Sequence, residues 1–213
     1  MKLIDMKVKD FLEELGSSSP APGGGSVSAL AGANGCSLVL MVGNLTIGKK
    51  KFKALDDDIR LCYNQSLEVF KRNQKEFVEL IDLDTDAFNN LMKAFKLPMN
   101  TDEEKASRQK EIDKATLGCI KVPLKVAALG LESLREISNL IQNSNKNTIS
   151  DQGVSVLMLY SAVEGAAMNV LINLPGLTDE NLHKEFKRVI NDILKETEGL
   201  KDKLLEEINY LLK

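Results

Sequence analysis

The sequence predicts an all-α fold, a helical bundle of long antiparallel helices, and three observations carry that prediction. Apolar residues recur at helical spacing along most of the chain, and no segment alternates in the manner of a half-buried strand. Two segments, 26–46 and 151–173, are built of small and apolar residues, the first without a single charge. A chain of 213 residues fits one domain over 1–213, large enough to bury its core without covalent staples.

The first helix is expected from about Met6 to Leu15, where Val8, Phe11, Leu12 and Leu15 repeat at helical spacing and Gly16 ends the pattern. The Ser/Pro/Gly run to Gly25 reads as a loop. A second helix starts between Gly24 and Ser26 and runs to about Thr46. From Gly16 to Gly48 no side chain is charged, a stretch long enough to span a bilayer. Its first third is the Pro/Gly run, however, and Ser, Asn and Thr punctuate the rest, so the buried centre of a bundle explains it more simply. The third helix runs from about Asp56 to Leu97 and is closed by Pro98. The fourth opens on the capping-box pattern Thr101-Asp102-Glu103-Glu104 and reaches Gln142, with a kink expected at Pro123. After a polar loop over 143–148, Ser150-Asp151 starts a fifth helix that ends at Asn173, and Pro175-Gly176 turns the chain. Thr178, Asp179 and Glu180 open the last helix, whose stripe runs from Leu182 through Phe186, Ile193 and Leu204 to Leu211. The two small-residue helices are expected at the centre, wrapped by three longer amphipathic ones.

Composition narrows the function. Cys36, Cys62 and Cys119 have no CxxC spacing and cannot all pair within one chain, which argues against a disulfide framework or zinc site and for a reducing cytoplasm. The start of the chain lacks the apolar core of a signal peptide. A net charge of −3 gives no reason to expect nucleic acid. His183, the only histidine, falls in a surface-patterned segment, which disfavours triad hydrolases. No clustered metal ligands are visible, so no metal is expected.

Four features remain as candidates. The elbow Pro22-Gly23-Gly24-Gly25-Ser26 opens a helix, and glycines there permit positive φ and close approach of a ligand to backbone N–H groups; the alternative is a flexible linker. Asp84 falls inside the stripe Phe77, Leu80, Ile81, Phe88, Leu91 and Phe95, where a carboxylate is either an acid–base group or a structural acid with a partner. Lys49, Lys50 and Lys51 form a basic run that either holds a polyanion or solvates a helix end. Asp151 starts the fifth helix, and Asn169 and Asn173 share a face near its end, as ligand contacts or as locks between helices.

The run from Pro20 to Ala33, PAPGGGSVSALAGA, resembles the signature of the formiminotetrahydrofolate cyclodeaminase / methenyltetrahydrofolate cyclohydrolase family. Gly48-Lys49-Lys50-Lys51, Asp84 to Phe88, Leu97-Pro98, Pro123-Leu124, Ser150 to Gly153 and Asn169 with Asn173 follow in the same order, so the resemblance spans essentially the whole chain. One departure is Met99, where the family often carries lysine after Leu-Pro; a contact to substrate is put in doubt there. The resemblance implies an all-helical homodimer, with its cleft near the subunit interface, acting on a tetrahydrofolate derivative as substrate without a metal. In one family reaction N10 of 5-formiminotetrahydrofolate closes on the formimino carbon and ammonia leaves. In the other, water opens the methenyl ring to 10-formyltetrahydrofolate. It further implies Asp84 as the proton shuttle, residues 22–26 against the pterin or reacting group, Lys49 to Lys51 on the glutamate tail, and Asp151, Asn169 and Asn173 lining the pocket. The rival expectation is a non-catalytic helical dimerisation protein of the same fold.

Overall fold

Helices begin and end where breakers and caps stand in the sequence. The computed structural model describes residues 2–213 and holds seven α-helices: α1 (Val8–Leu15), α2 (Gly24–Ile47), α3 (Lys50–Lys53), α4 (Asp57–Phe95), α5 (Asp102–Ile137), α6 (Ile149–Asn173) and α7 (Glu180–Leu211). No strand is present among the described residues. Thr101 closes the expected capping box with Glu104, and Asp179 caps α7 by accepting from the N–H groups of Asn181 and Leu182. Two boundaries differ from expectation. The lysine run forms its own single turn, α3, because Phe52 within it is buried and pins the turn to the bundle. The fourth helix stops at Ile137, and the chain reaches Ile141–Asn143 as a separate 3-10 turn.

Four helices form the bundle, each antiparallel to its two neighbours in the order α2, α4, α5, α6. The register is marked by specific pairs. Gly25 lies on Asp84 and Gly32 on Phe77, Asn173 reaches Cys119, and Gly24 lies beside Asn169. A Cβ at Gly32 would stand 2.4 Å from the Phe77 ring, so α2 approaches α4 as closely as it does only because that position is bare. Helix α7 lies across α5 and α6, with Ile190, Leu204 and Ile208 buried in the same core.

Helix α5 continues through Pro123, which is buried. Proline has no N–H, so the carbonyl four residues back, on Cys119, loses its intrahelical donor. Asn173 Nδ2 takes that role from α6, at 3.3 Å. The hydrogen bond lost at Pro123 is thus replaced by a lock between two helices, and α5 runs through the proline as one helix.

The two small-residue helices are not wrapped on all sides. They pack on each other and on α4 and α5, but each keeps an uncovered outer face. Leu45 is 45% exposed on α2, and Met168 and Ile172 are 66% and 78% exposed on α6. By length and composition α2 and the segment 146–176 could each cross a membrane, with 56% and 44% of their apolar windows buried in the bundle. The apolar stripe of α4 is also covered only in part. Phe77, Leu80 and Ile81 are buried and Phe95 is exposed, because α4 and α5 run past the ends of α2 and α6 as a projecting hairpin. A small cluster of Leu91, Ala94, Ile112 and Cys119 holds that arm together.

Candidate active site

The site is built where α2 begins. Pro22 is buried after a cis Ala21–Pro22 bond, Gly23 is the N-cap, and Gly24, Gly25 and Ser26 form the first helical turn. Gly23 has no side chain with which to cap this end, so the first backbone N–H groups of α2 look outward, that of Ser26 toward the Asp84 carboxyl. None of the glycines has a positive φ. What the elbow requires is room, since a Cβ on Gly25 would lie 2.0 Å from Asp84 Oδ1.

Asp84 enters from the middle of α4. Ser26 Oγ lies 2.8 Å from the Ile81 carbonyl, 3.2 Å from Asp84 Oδ2 and 3.2 Å from Thr85 Oγ1. A hydroxyl has one proton to give, so Ser26 donates either to the Asp84 carboxylate or to the Ile81 carbonyl, and in the second case it is free to accept from a protonated Asp84. Burial pushes the Asp84 carboxyl above its ordinary range, against the opposing pull of the Ser26 hydroxyl and backbone N–H. The Cys119 thiol is pushed to about 11, first by burial and then by the nearby Asp84 charge.

Helix α6 supplies the third wall. A Cβ on Gly24 would meet Asn169 Nδ2 at 3.2 Å, and Asn169 and Asn173 donate to the carbonyls of Gly165 and Asn169, each at 2.7 Å. Their amide oxygens accept no hydrogen bond among the described residues. Asn173 therefore serves as a lock on Cys119 and still presents an acceptor. A cleft of about 740 Å³ opens between α4 and α5 one turn from Asp84, with Ala87 and Val122 in its walls beside Lys93, Lys114, Asp86 and Glu111. Nothing in the spacing of α4 or α5 alone announces this cleft, because it exists only where the two helices outrun the bundle.

Lys49, Lys50, Lys51 and Asp151 are not brought to Asp84. Helix α2 has 24 residues, so its two ends stand about 36 Å apart. Asp151 lies in the first turn of α6, at the lysine end. The lysines line a second hollow of about 510 Å³ together with Lys146, Asn143 and Asn145, and no acidic residue lines it. Among the described residues none of these four lysines forms an ion pair. Met99 is exposed at the tip of the projecting hairpin, and His183 lies on α7, which does not build the Asp84 site. No group of three or more His, Cys, Asp or Glu side chains gathers among the described residues.

Comparison with known proteins shows the family. The model of the formiminotransferase-cyclodeaminase family matches residues 7–206, nearly the entire chain. The chain belongs to that family. It is 37% identical to a methenyltetrahydrofolate cyclohydrolase of Methylorubrum extorquens, over 94% of this chain and 95% of that one. It is 34% identical to the formimidoyltransferase-cyclodeaminase of Rattus norvegicus over 91% of this chain, where the match spans 35% of the longer rat protein. The crystal structure of formiminotetrahydrofolate cyclodeaminase from Thermotoga maritima superposes with a TM-score of 0.67, at 25% identity over 98% of this chain and 96% of that one.

Proposed function

We propose that the chain is a folate-dependent one-carbon enzyme that converts 5-formiminotetrahydrofolate to 5,10-methenyltetrahydrofolate and ammonia. The observation that carries this reading is the Asp84 carboxyl, biased by burial toward its protonated form and set against the first turn of α2. Departure of ammonia needs an acid at the leaving nitrogen, and ring closure needs a base at N10. One carboxyl can do both in sequence. As carboxylate it takes the N10 proton while N10 bonds to the formimino carbon. As carboxylic acid it returns that proton to the leaving nitrogen while the carbon–nitrogen bond breaks. Residues 22–26 approach the pterin through backbone, and Asn169 and Asn173 offer amide oxygens to its N–H groups. The test follows the absorbance of the methenyl product with purified protein against a control without enzyme. No growth of that band above the control removes cyclodeamination.

A second reading is favoured by the full-length similarity to the Methylorubrum cyclohydrolase. There water opens the methenyl ring to 10-formyltetrahydrofolate, with Asp84 taking the proton from water. Loss of the methenyl band on adding enzyme would select it. The chemistry proposed for either direction runs on Asp84, hydroxyls and backbone N–H groups, with the folate as substrate and no metal. The working form is a homodimer that covers the apolar outer face of α2 and α6, in a reducing cytoplasm suited to the free Cys36, Cys62 and Cys119.

A further inference from the structure

Gly23 stands where α2 needs a capping side chain and has none, and the group that reaches toward that place is Asp84 of α4. The N–H it faces is that of Ser26, third in the helix, a position that a capping oxygen ordinarily serves. Ser26 also sets its hydroxyl 3.2 Å from the same carboxyl, so one residue offers Asp84 a backbone donor and a side-chain donor. The bare Cα of Gly25 leaves room for this approach. Ser26 is itself fully buried, so its hydroxyl acts on the reaction through Asp84 and not by touching a folate.

The Ser26 hydroxyl has one proton and three oxygen neighbours, on Ile81, Asp84 and Thr85. With Asp84 ionised, Ser26 donates to the carboxylate and accepts from Thr85 Oγ1. With Asp84 protonated, Ser26 accepts from it and turns its own proton to the Ile81 carbonyl. That carbonyl lies inside α4 and keeps the backbone N–H of Thr85 throughout, so the turn of Ser26 leaves no buried acceptor orphaned. Both states of the carboxyl therefore have a partner already in place, which suits a group that must take up a proton and give it back. The charged groups around it are few. Helix α2 has none, and those of α6 are Asp151 in its first turn and Glu164 beside Tyr160. Cys119 is the titratable group of α5 that feels Asp84, with its thiol pushed to about 11. On α4 itself Asp82 accepts from Leu3 N–H, and Asp86 and Lys93 stand in the cleft with Glu111 and Lys114 of α5. The N-terminal turn that packs on α4 brings only the exposed Asp5.

We infer that Ser26 and Thr85 are positioning residues for the proton carried by Asp84. Ser26 turns its hydroxyl between the carboxylate and the Ile81 carbonyl as Asp84 loses and regains its proton, and Thr85 donates to Ser26 in the ionised state. No bond of Ser26 or Thr85 breaks in the cycle, since the proton that moves is the one Asp84 exchanges with the folate or with water. This assignment rests on the proton-shuttling reading of Asp84 proposed above and adds the two residues that hold both of its states.

Two readouts test it, one of them independent of turnover. The first is the infrared band of the protonated carboxyl that Asp84→Asn removes, followed across pH. In Ser26→Ala the carboxylate loses a donor, so the midpoint of that band should rise by about one pH unit. The second is the pH dependence of kcat. Its acidic limb should move upward with the midpoint, with kcat lowered roughly tenfold or more and KM kept within about twofold. Thr85→Val should move the midpoint the same way by less, and Thr85→Ser should restore it. A residue that merely ties α2 to α4 would lower the melting temperature and leave midpoint and limb in place, and that result in Ser26→Ala overturns the proposal. So does a raised KM with kcat kept, which would make Ser26 a contact to substrate. If Ser26→Ala does not fold, Thr85→Val and Thr85→Ser decide, and an unmoved midpoint in Thr85→Val overturns the role of the hydroxyl pair. A wild-type protein that turns over neither folate overturns the functional reading, while the infrared midpoints still decide how Asp84 is held.

Discussion

Asp84 couples stability to chemistry through one proton. Burial raises its carboxyl above the ordinary value of 3.8, so the folded chain holds that proton more tightly than the unfolded chain. Its stabilising contribution is complete below the unfolded value and is lost as pH rises through the raised one. Asparagine cannot ionise, so Asp84→Asn should melt above wild type at neutral pH, and the gain should vanish toward pH about 4. Turnover of the same variant should fall by roughly 10²- to 10⁴-fold. Melting scans across pH and the methenyl assay check both halves, and equal melting temperatures throughout would mean the carboxyl is not destabilised by burial. Gly25→Ala attacks the site differently, because its methyl would overlap Asp84 Oδ1, which is 2.0 Å from an ideal Cβ. Overpacking there should lower stability by about 1–3 kcal/mol, with activity lost more steeply than stability. Gly24→Ala meets only the Asn169 amide, and urea melts with initial rates should rank it as the milder change. Asp84 was legible in the sequence because a carboxylate stood inside an apolar stripe. Its contact with Gly25 was not, since those residues lie 59 apart in the chain.

At the scale of elements, the Pro123–Asn173 pair shows how a local rule becomes a tertiary one. Proline in a helix signalled a missing hydrogen bond on α5, yet its sequence neighbours could not say what would replace it. The replacement comes from α6, across the bundle. Asn173→Ala should leave the Cys119 carbonyl without a donor and lower stability by about 1–3 kcal/mol. Pro123→Ala restores a backbone donor, so the double variant should lose less than the sum of the two single ones, a non-additivity that urea melts can measure. Helix ends were read well where a cap or breaker marks them, as at Thr101 and Asp179. The ends at Ile137 and Lys50 were missed because burial, through Ile141 and Phe52, sets them rather than any local signal.

For the whole molecule, the uncovered α2–α6 face is the feature with the largest consequence. A charge placed in its middle, as in Leu157→Glu, faces solvent in one copy and would be buried between two. The variant should keep its helical content and sediment as a monomer, whereas the wild type should sediment as a dimer with a melting temperature that rises with protein concentration. A wild-type monomer at micromolar concentration would sink the pairing.

The sequence by itself determined the helices, most of their ends, the family signature and the residues worth suspecting. Caps, breakers and apolar spacing act between residues a few positions apart, so a single chain read in order is enough to see them. Only the tertiary structure divided those suspects between two sites. A helix rises about 1.5 Å per residue and cannot fold back on itself, so 24 residues of α2 hold the lysines far from the elbow. Antiparallel packing then set Asp84, Asn169 and Asn173 around the elbow and left Lys49, Lys50, Lys51 and Asp151 together at the opposite end of the same face.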